Sequence, residues 1–260
     1  MAKIKILGCS GGIGGKLRTT SMLVDDDILI DAGTGVGDLS MEALLKIDHV
    51  LLTHAHLDHI AALPLLLDTV MGIRDEPITV HANKETLQTL QQHIFNWKVW
   101  PDFHVIPNAE NPFLRYNEIT LGETLEFNGR KFTPLPANHV IPAFGYHVAS
   151  GEASLVFTGD TTVCEALWPE VNKIINLKYL IIETAFSNAE FELAKLSKHL
   201  CPSMLVAELA RLELTNMQTT FEIFITHLKP GEGESIMREI SASNLPYTIQ
   251  ALNNNQVFDI

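Results

Sequence analysis

His54, His56, Asp58 and His59 place four metal-ligating side chains within six residues, just after the apolar run Val50-Leu51-Leu52. Three neutral imidazoles and a carboxylate, with no basic residue among them, suit Zn²⁺ or a similar ion that accepts mixed nitrogen and oxygen ligands. The spacing also assigns directions. With residues 50–53 as a strand, His54 and His56 leave its end on one side, because strand side chains repeat every two residues. Residues 57–67 read as a helix, so Asp58 and His59 fall in its first turn and project elsewhere. One short loop thereby serves two adjacent metal positions.

The same kind of residue recurs along the chain. Asp160 follows the apolar stretch 154–158, His227 follows 222–226, and His139 comes more loosely after 130–135. Sites in layered α/β folds assemble where several strand ends open onto one face. Asp31 closes a strand over 27–31 and is placed to orient a metal-bound histidine through its other ring nitrogen. The loop Gly8-Cys9-Ser10-Gly11-Gly12-Ile13-Gly14-Gly15 has neither phosphate-loop nor dinucleotide spacing and reads as a tight turn close to an active site. Residues 95–104 carry Phe95, Trp97, Trp100 and Phe103, either as a hydrophobic minicore or as a wall that stacks on a planar ligand. His81 and His93 have no ligand-spaced neighbours, His49 and His147 lie within strand patterns, and all four read as structural.

Positioning these residues takes alternating strands and helices. Strands are expected at 3–7, 20–24, 27–31, 49–53, 78–81, 118–121, 124–127 and 130–135, then at 144–149, 154–158, 179–182, 222–226 and 248–251. Helices are expected at 37–46, 57–67, 83–94, 190–196, 204–212 and 235–241. Asn128-Gly129 marks a hairpin. No linker, repeat or low-complexity tract interrupts the pattern, so residues 1–260 are assigned to a single α/β domain.

Composition bounds the partners. A formal charge of -13 disfavours a long nucleic acid, because such binding depends on Lys and Arg neutralising phosphates. It leaves room for one small phosphorylated ligand held by metals. Cys9, Cys164 and Cys201 are odd in number and widely spaced, which points away from a disulfide framework and towards a reducing, cytoplasmic setting. The N-terminus lacks a signal-peptide pattern, and the most apolar stretch, 60–73, is broken by Pro64 and Asp68 and is too short for a bilayer. No membrane association is expected.

The order His54-x-His56-x-Asp58-His59, then His139, Asp160 and His227, resembles the metallo-β-lactamase superfamily. That resemblance implies a four-layer αββα sandwich with two divalent metal ions, Zn²⁺ first and Mn²⁺ or Fe²⁺ as alternatives. It implies that His54, His56 and His139 hold one ion, that Asp58, His59 and His227 hold the other, and that Asp160 bridges both. Four further stretches are similar to the class II 3',5'-cyclic-nucleotide phosphodiesterases. They are Phe95-Asn96-Trp97-x-x-Trp100-Pro101-Asp102-Phe103, Ile181 to Asn188, His199-Leu200-x-Pro202 with nearby Glu208-Leu209, and Thr226-His227-Leu228-Lys229-Pro230. Cys201 and Ala185 depart from the small polar residues expected at those places.

The activity implied is hydrolysis of cAMP, or cGMP, to the 5'-monophosphate by a hydroxide shared between two metals about 3.5–4 Å apart. Asp58 is counted among the catalytic residues as well as the ligands. His199 would contact the phosphate or protonate the leaving oxygen, with Glu183 orienting it. Trp97, Trp100 and Phe103 are expected to stack on the purine, with Asn138 as a further substrate contact. A homodimer is in keeping with the family. Three other functions share parts of the pattern: a tRNA 3'-processing endonuclease, a thioester or β-lactam hydrolase, and a metal scaffold that binds a cyclic nucleotide without cleaving it.

Overall fold

A computed structural model of the chain describes residues 1–213 and 221–260. Six strands from the first half lie side by side in chain order: β1 (Lys3–Gly8), β2 (Ser21–Val24), β3 (Ile28–Ile30), β4 (His49–Leu51), β5 (Ile78–Ala82) and β6 (Leu114–Glu118). Seven strands from the second half do the same: β7 (Leu125–Phe127), β8 (Arg130–Pro136), β9 (Phe144–Ser150), β10 (Ala153–Phe157), β11 (Leu177–Glu183), β12 (Glu222–Thr226) and β13 (Ile249–Ala251). The last strand, β14 (Val257–Asp259), returns to the first sheet and pairs with β1. Each sheet is built alike, from antiparallel pairs followed by parallel ones, the change coming at β3–β4 and at β10–β11.

Alternation along the strands decides what each face meets. Ile28 and Ile30 of β3 point between the sheets, towards Phe132, Tyr146, Val148 and Phe157, while Leu29 points outward. The outer face of the first sheet is covered by α1 (Met41–Leu44), α2 (Leu57–Ile60), α3 (Leu63–Val70) and α4 (Lys84–Thr89), with Leu63, Leu66, Leu67 and Leu87 buried against it. The outer face of the second carries α5 (Trp168–Val171), α6 (Phe191–Ser197), α7 (Pro202–Leu209) and α8 (Gly233–Ala242), through Trp168, Leu205, Leu209, Ile236 and Ile240. The architecture is the four-layer αββα sandwich. Buried Arg130 ties the sheets together at one end, its guanidinium pairing with Asp27 and lying 3.1 Å from Asp25 in the β2–β3 turn.

Three of the expected elements take a different form, and α5 and β14 are additional to those expected. The helix expected over 57–67 is split into α2 and α3, because Ala32 N donates to His59 O (2.6 Å) and Ala62 N to Ala32 O (2.9 Å). Those bonds divert the backbone groups a continuous helix would need, and Pro64 starts the second helix without an N–H. The strand expected at 118–121 is instead β6, paired with β5 through Ile78↔Leu114 to Ala82↔Glu118. Residues 119–124 are the crossing from one sheet to the other. The helix expected over 37–46 reduces to a turn of 3₁₀ helix at Thr34–Asp38 and to α1, capped by Ser40 Oγ on Ala43 N.

Candidate dinuclear metal centre

The seven residues singled out as metal ligands meet at one edge of the sandwich, where β4, β8, β10 and β12 end. They form two groups that share one member. His54, His56, His139 and Asp160 make the first; Asp58, His59, Asp160 and His227 make the second. Within each group one ligand atom per residue lies within 4.8 Å of all the others. His56 Nδ1 stands 3.0 Å from His54 Nε2 and 3.1 Å from His139 Nε2. Asp160 reaches the second group, with Oδ2 3.3 Å from His59 Nε2 and Oδ1 3.2 Å from His227 Nδ1.

The surroundings set which ring nitrogens face inward. Asp31 is completely buried, and its carboxylate accepts from Thr53 N (2.8 Å), Thr53 Oγ1 (2.9 Å) and His59 Nδ1 (2.7 Å). With its proton given to Asp31, Thr53 Oγ1 can only accept from His54 Nδ1, 3.0 Å away. Nε2 of His54 is then left as a lone pair aimed at the group. His139 Nδ1 faces the Lys198 carbonyl at 3.0 Å and must donate, so its Nε2 is also a lone pair. His56 Nδ1, about 3 Å from both, can give a proton to only one of them, so one lone pair is left facing another polar nitrogen unless a cation stands between them. His59 Nε2 and His227 Nδ1 are buried without a hydrogen-bond partner among the described residues, which is a costly arrangement for polar atoms lacking an ion. The donor set of imidazoles and carboxylates fits divalent metal ions at both groups.

Charge follows the same plan. Burial lowers His54, His56 and His139, the last to about 4, so all three are neutral ligands. Burial also opposes ionisation of Asp160, but His227, His59 and His54 outweigh it and hold the carboxyl well below its usual range. Burial opposes charge on His59 too, yet Asp160 and Asp31 raise it well above an ordinary imidazole; a bound metal would displace that proton.

His199 sits beside both groups. Its ring centroid is 5.0 Å from that of His139 and 5.0 Å from that of His227, with which it stacks at 19°. Nδ1 donates to Glu183 Oε1 at 2.8 Å, which leaves Nε2 as the available nitrogen. Glu183 is wholly buried and further anchored by Thr161 N (3.0 Å) and Leu200 N (3.3 Å). Burial disfavours a charged His199, but the Glu183 carboxylate more than offsets this and raises the imidazole above its usual value.

The backbone is bent to suit the site. Asp31, Lys198 and His227 adopt left-handed conformations (φ 58, 54 and 63), which non-glycine residues enter rarely. Gly11 of the glycine-rich loop packs on His227; a Cβ there would stand 2.6 Å from His227 O and 2.8 Å from its Cδ2.

Other expected site residues fall elsewhere. Phe103 is fully buried in the outer core of the first sheet, edge-on to Phe95 (6.2 Å), so it is not available to a ligand. Trp100 is half-buried against the same core, whereas Trp97 is 64% exposed. Asn138 uses both ends of its amide internally, Nδ2 on Val163 O (2.8 Å) and Oδ1 on Lys198 Nζ (3.2 Å). It holds the His139 loop and is corrected from substrate contact to support. Two residues escaped the sequence reading. Lys198 clamps the His139 loop from both of its ends, Nζ on His139 O (3.0 Å) and O on His139 Nδ1; nothing local in the sequence signals it. Thr53, inside the motif, relays Asp31 to His54.

The model of the β-lactamase superfamily domain matches residues 26–244, a span holding all seven ligands. The chain belongs to the β-lactamase superfamily. A Yersinia pestis protein described as "Probable 3',5'-cyclic-nucleotide phosphodiesterase" is 25% identical over 217 residues, covering 75% of this chain and 61% of that protein. Ribonuclease Z of Clostridium beijerinckii is 31% identical over 158 residues, covering 56% of this chain and 48% of that enzyme. The chain thus matches only about half to three-fifths of these relatives' lengths. The crystal structure of unliganded yeast PDE1 superposes with a TM-score of 0.82 at 18% identity over 98% of both chains, a likeness of fold. The superfamily is that of metallo-β-lactamase-fold hydrolases, and its fold implies divalent metal ions. Among the described residues, no helix is long and apolar enough to cross a membrane.

Asp31 makes a separate test of the site. Asp31→Ala is expected to weaken metal binding about 10–100-fold, read by titration against a competing chelator, since His54 and His59 both lose their orientation.

Proposed function

We propose that this chain is a phosphodiesterase that hydrolyses 3',5'-cyclic nucleotides, cAMP foremost, to the 5'-monophosphate. The observation that carries the reading is His199, held by buried Glu183 beside both ligand groups. A thioester hydrolase, whose thiolate leaves without a proton, has no need of an acid there, and a scaffold that only binds the nucleotide has none either. The Yersinia relative supports the choice of substrate.

When bound, two metal ions, Zn²⁺ by ligand type, supply Lewis acidity towards the phosphodiester and acidify a water molecule. His54, His56 and His139 hold one; Asp58, His59 and His227 hold the other; Asp160 is common to both. His199 presents Nε2 to the phosphate, and its raised basicity keeps a proton there for the leaving 3'-oxygen. Glu183 fixes the ring and its tautomer. Exposed Trp97 offers a face on which a base can stack. Three free cysteines fit a reducing cytoplasm, and a homodimer is in keeping with the family.

Processing of tRNA 3' ends is the second reading, favoured by the ribonuclease Z relative. The charge of -13 weighs against it, because tRNA is gripped through its phosphates. Turnover of cAMP, cGMP, bis(p-nitrophenyl) phosphate and a tRNA precursor by the metal-loaded protein separates the two. The proposal expects cAMP to be the best substrate by kcat/KM. Cleavage of the tRNA precursor with cAMP left intact would transfer the assignment to the second reading.

A further inference from the structure

A cavity of about 880 Å³ lies next to the metal centre but contains none of its ligands. The wall between them is the Ser10–Gly11 backbone joined to Leu228 and Lys229: Gly11 N donates to Leu228 O (3.1 Å) and Lys229 Nζ to Gly11 O (2.8 Å). Its charge is at odds with the rest of the molecule. Lys5, Lys16, Arg18 and Lys229 line it, against the carboxylates of Asp38 and Glu234. Asp38 is already neutralised by Arg18, Nε to Oδ2 at 2.8 Å. Lys5 and Lys16 are in no ion pair among the described residues, although the chain carries 31 acidic residues with which to supply one. The rest of the lining divides in two. Leu7, Leu39 and Leu252 give an apolar surface, and the side chains of Asn253 and Asn255 add amide groups beside it.

The lining is also held in place. Asn254 Nδ2 donates to Lys16 O (3.1 Å), and Cys9 Sγ donates to Leu252 O and Asn254 Oδ1, both at 3.4 Å. Burial pushes the Cys9 thiol up to about 12, so it forms part of the wall and is no nucleophile. Unpaired ammonium groups over an apolar surface, with amides at the side, match an anionic head on a flat or apolar body. The volume lies within the range of small-molecule sites.

We propose that this cavity binds a phosphorylated small molecule of the nucleoside monophosphate class, with its phosphate at Lys5 and Lys16 and its base against Leu7, Leu39 and Leu252. This second site is distinct from the metal centre; only the expected count of two molecules per chain rests also on the phosphodiesterase reading.

Calorimetric titration of 5'-AMP into the metal-loaded protein tests it. Two 5'-AMP are expected per chain for the wild type. One of them is expected to weaken at least about tenfold in Lys5→Gln and in exposed Lys16→Glu, as loss of a charge-assisted contact implies. In Asp160→Asn the cavity molecule is expected to remain while any molecule at the metals is lost. A wild-type stoichiometry of one that vanishes with Asp160→Asn would overturn the proposal, as would affinities indifferent to both lysine changes. A single 5'-AMP that persists in Asp160→Asn and weakens with Lys16→Glu would support the cavity and count against the phosphodiesterase reading.

Discussion

Asp160→Asn is expected to take the bound metal from two ions per chain to fewer than one and to lower turnover on the order of 10³-fold. The size of the effect follows from its place in both groups. Its two oxygens lie within reach of His59 and His227, and Oδ2 is also 3.8 Å from His54. An amide has the same volume but lacks the charge that the five surrounding histidines face and that two bound cations would need. The remaining groups, His54-His56-His139 and Asp58-His59-His227, are three-residue sets with no shared anion to hold two positive ions close together. Metal analysis after dialysis reads the first effect and hydrolysis of bis(p-nitrophenyl) phosphate the second. Retention of two ions by Asp160→Asn would show that Asp160 does not bridge them.

His199→Ala is expected to do the opposite to metal content, leaving two ions in place, while kcat falls about 10²–10⁴-fold. The ring meets His139 edge-on and His227 by stacking, so its loss removes a proton donor and no ligand. The pH profile adds an independent readout. Glu183 raises the His199 pKa, so the acid form is present below that value and is lost as pH rises through it. Wild-type kcat should therefore fall on the alkaline side, and the fall should disappear in His199→Ala. An activated leaving group such as p-nitrophenolate should rescue part of the variant's rate, since it departs without a proton. A kcat for cAMP near that of the wild type would remove His199 from the reaction.

How much of this was legible in the sequence depends on the range of the interactions involved. The cluster from His54 to His59 is local, and its spacing on a strand end and a first helical turn suffices to show two directions. Asp160 and His227 were legible because each follows an apolar run that ends abruptly, and Asp31 for the same reason. Glu183 was named as orienting His199 and indeed accepts its hydrogen bond. The Phe103 and Asn138 roles were misjudged because an aromatic or an amide near a motif gives no sign of which face is covered; Phe103 meets Phe95, and Asn138 meets Lys198, sixty residues on. Lys198 itself was invisible, since its part rests on a left-handed turn that brings its carbonyl and its ammonium to one loop. In the fold, β14 escaped because its three residues gain their meaning only from pairing with β1 at the other end of the chain.

Titration of metal-free protein with Zn²⁺, with cAMP hydrolysis followed at each addition, tests most directly that the two ligand groups act as one centre. The proposal predicts that activity climbs until two ions are bound per chain, levels off there, and falls away again with a chelator. Full activity at one ion per chain, or activity that ignores both metal and chelator, would contradict it.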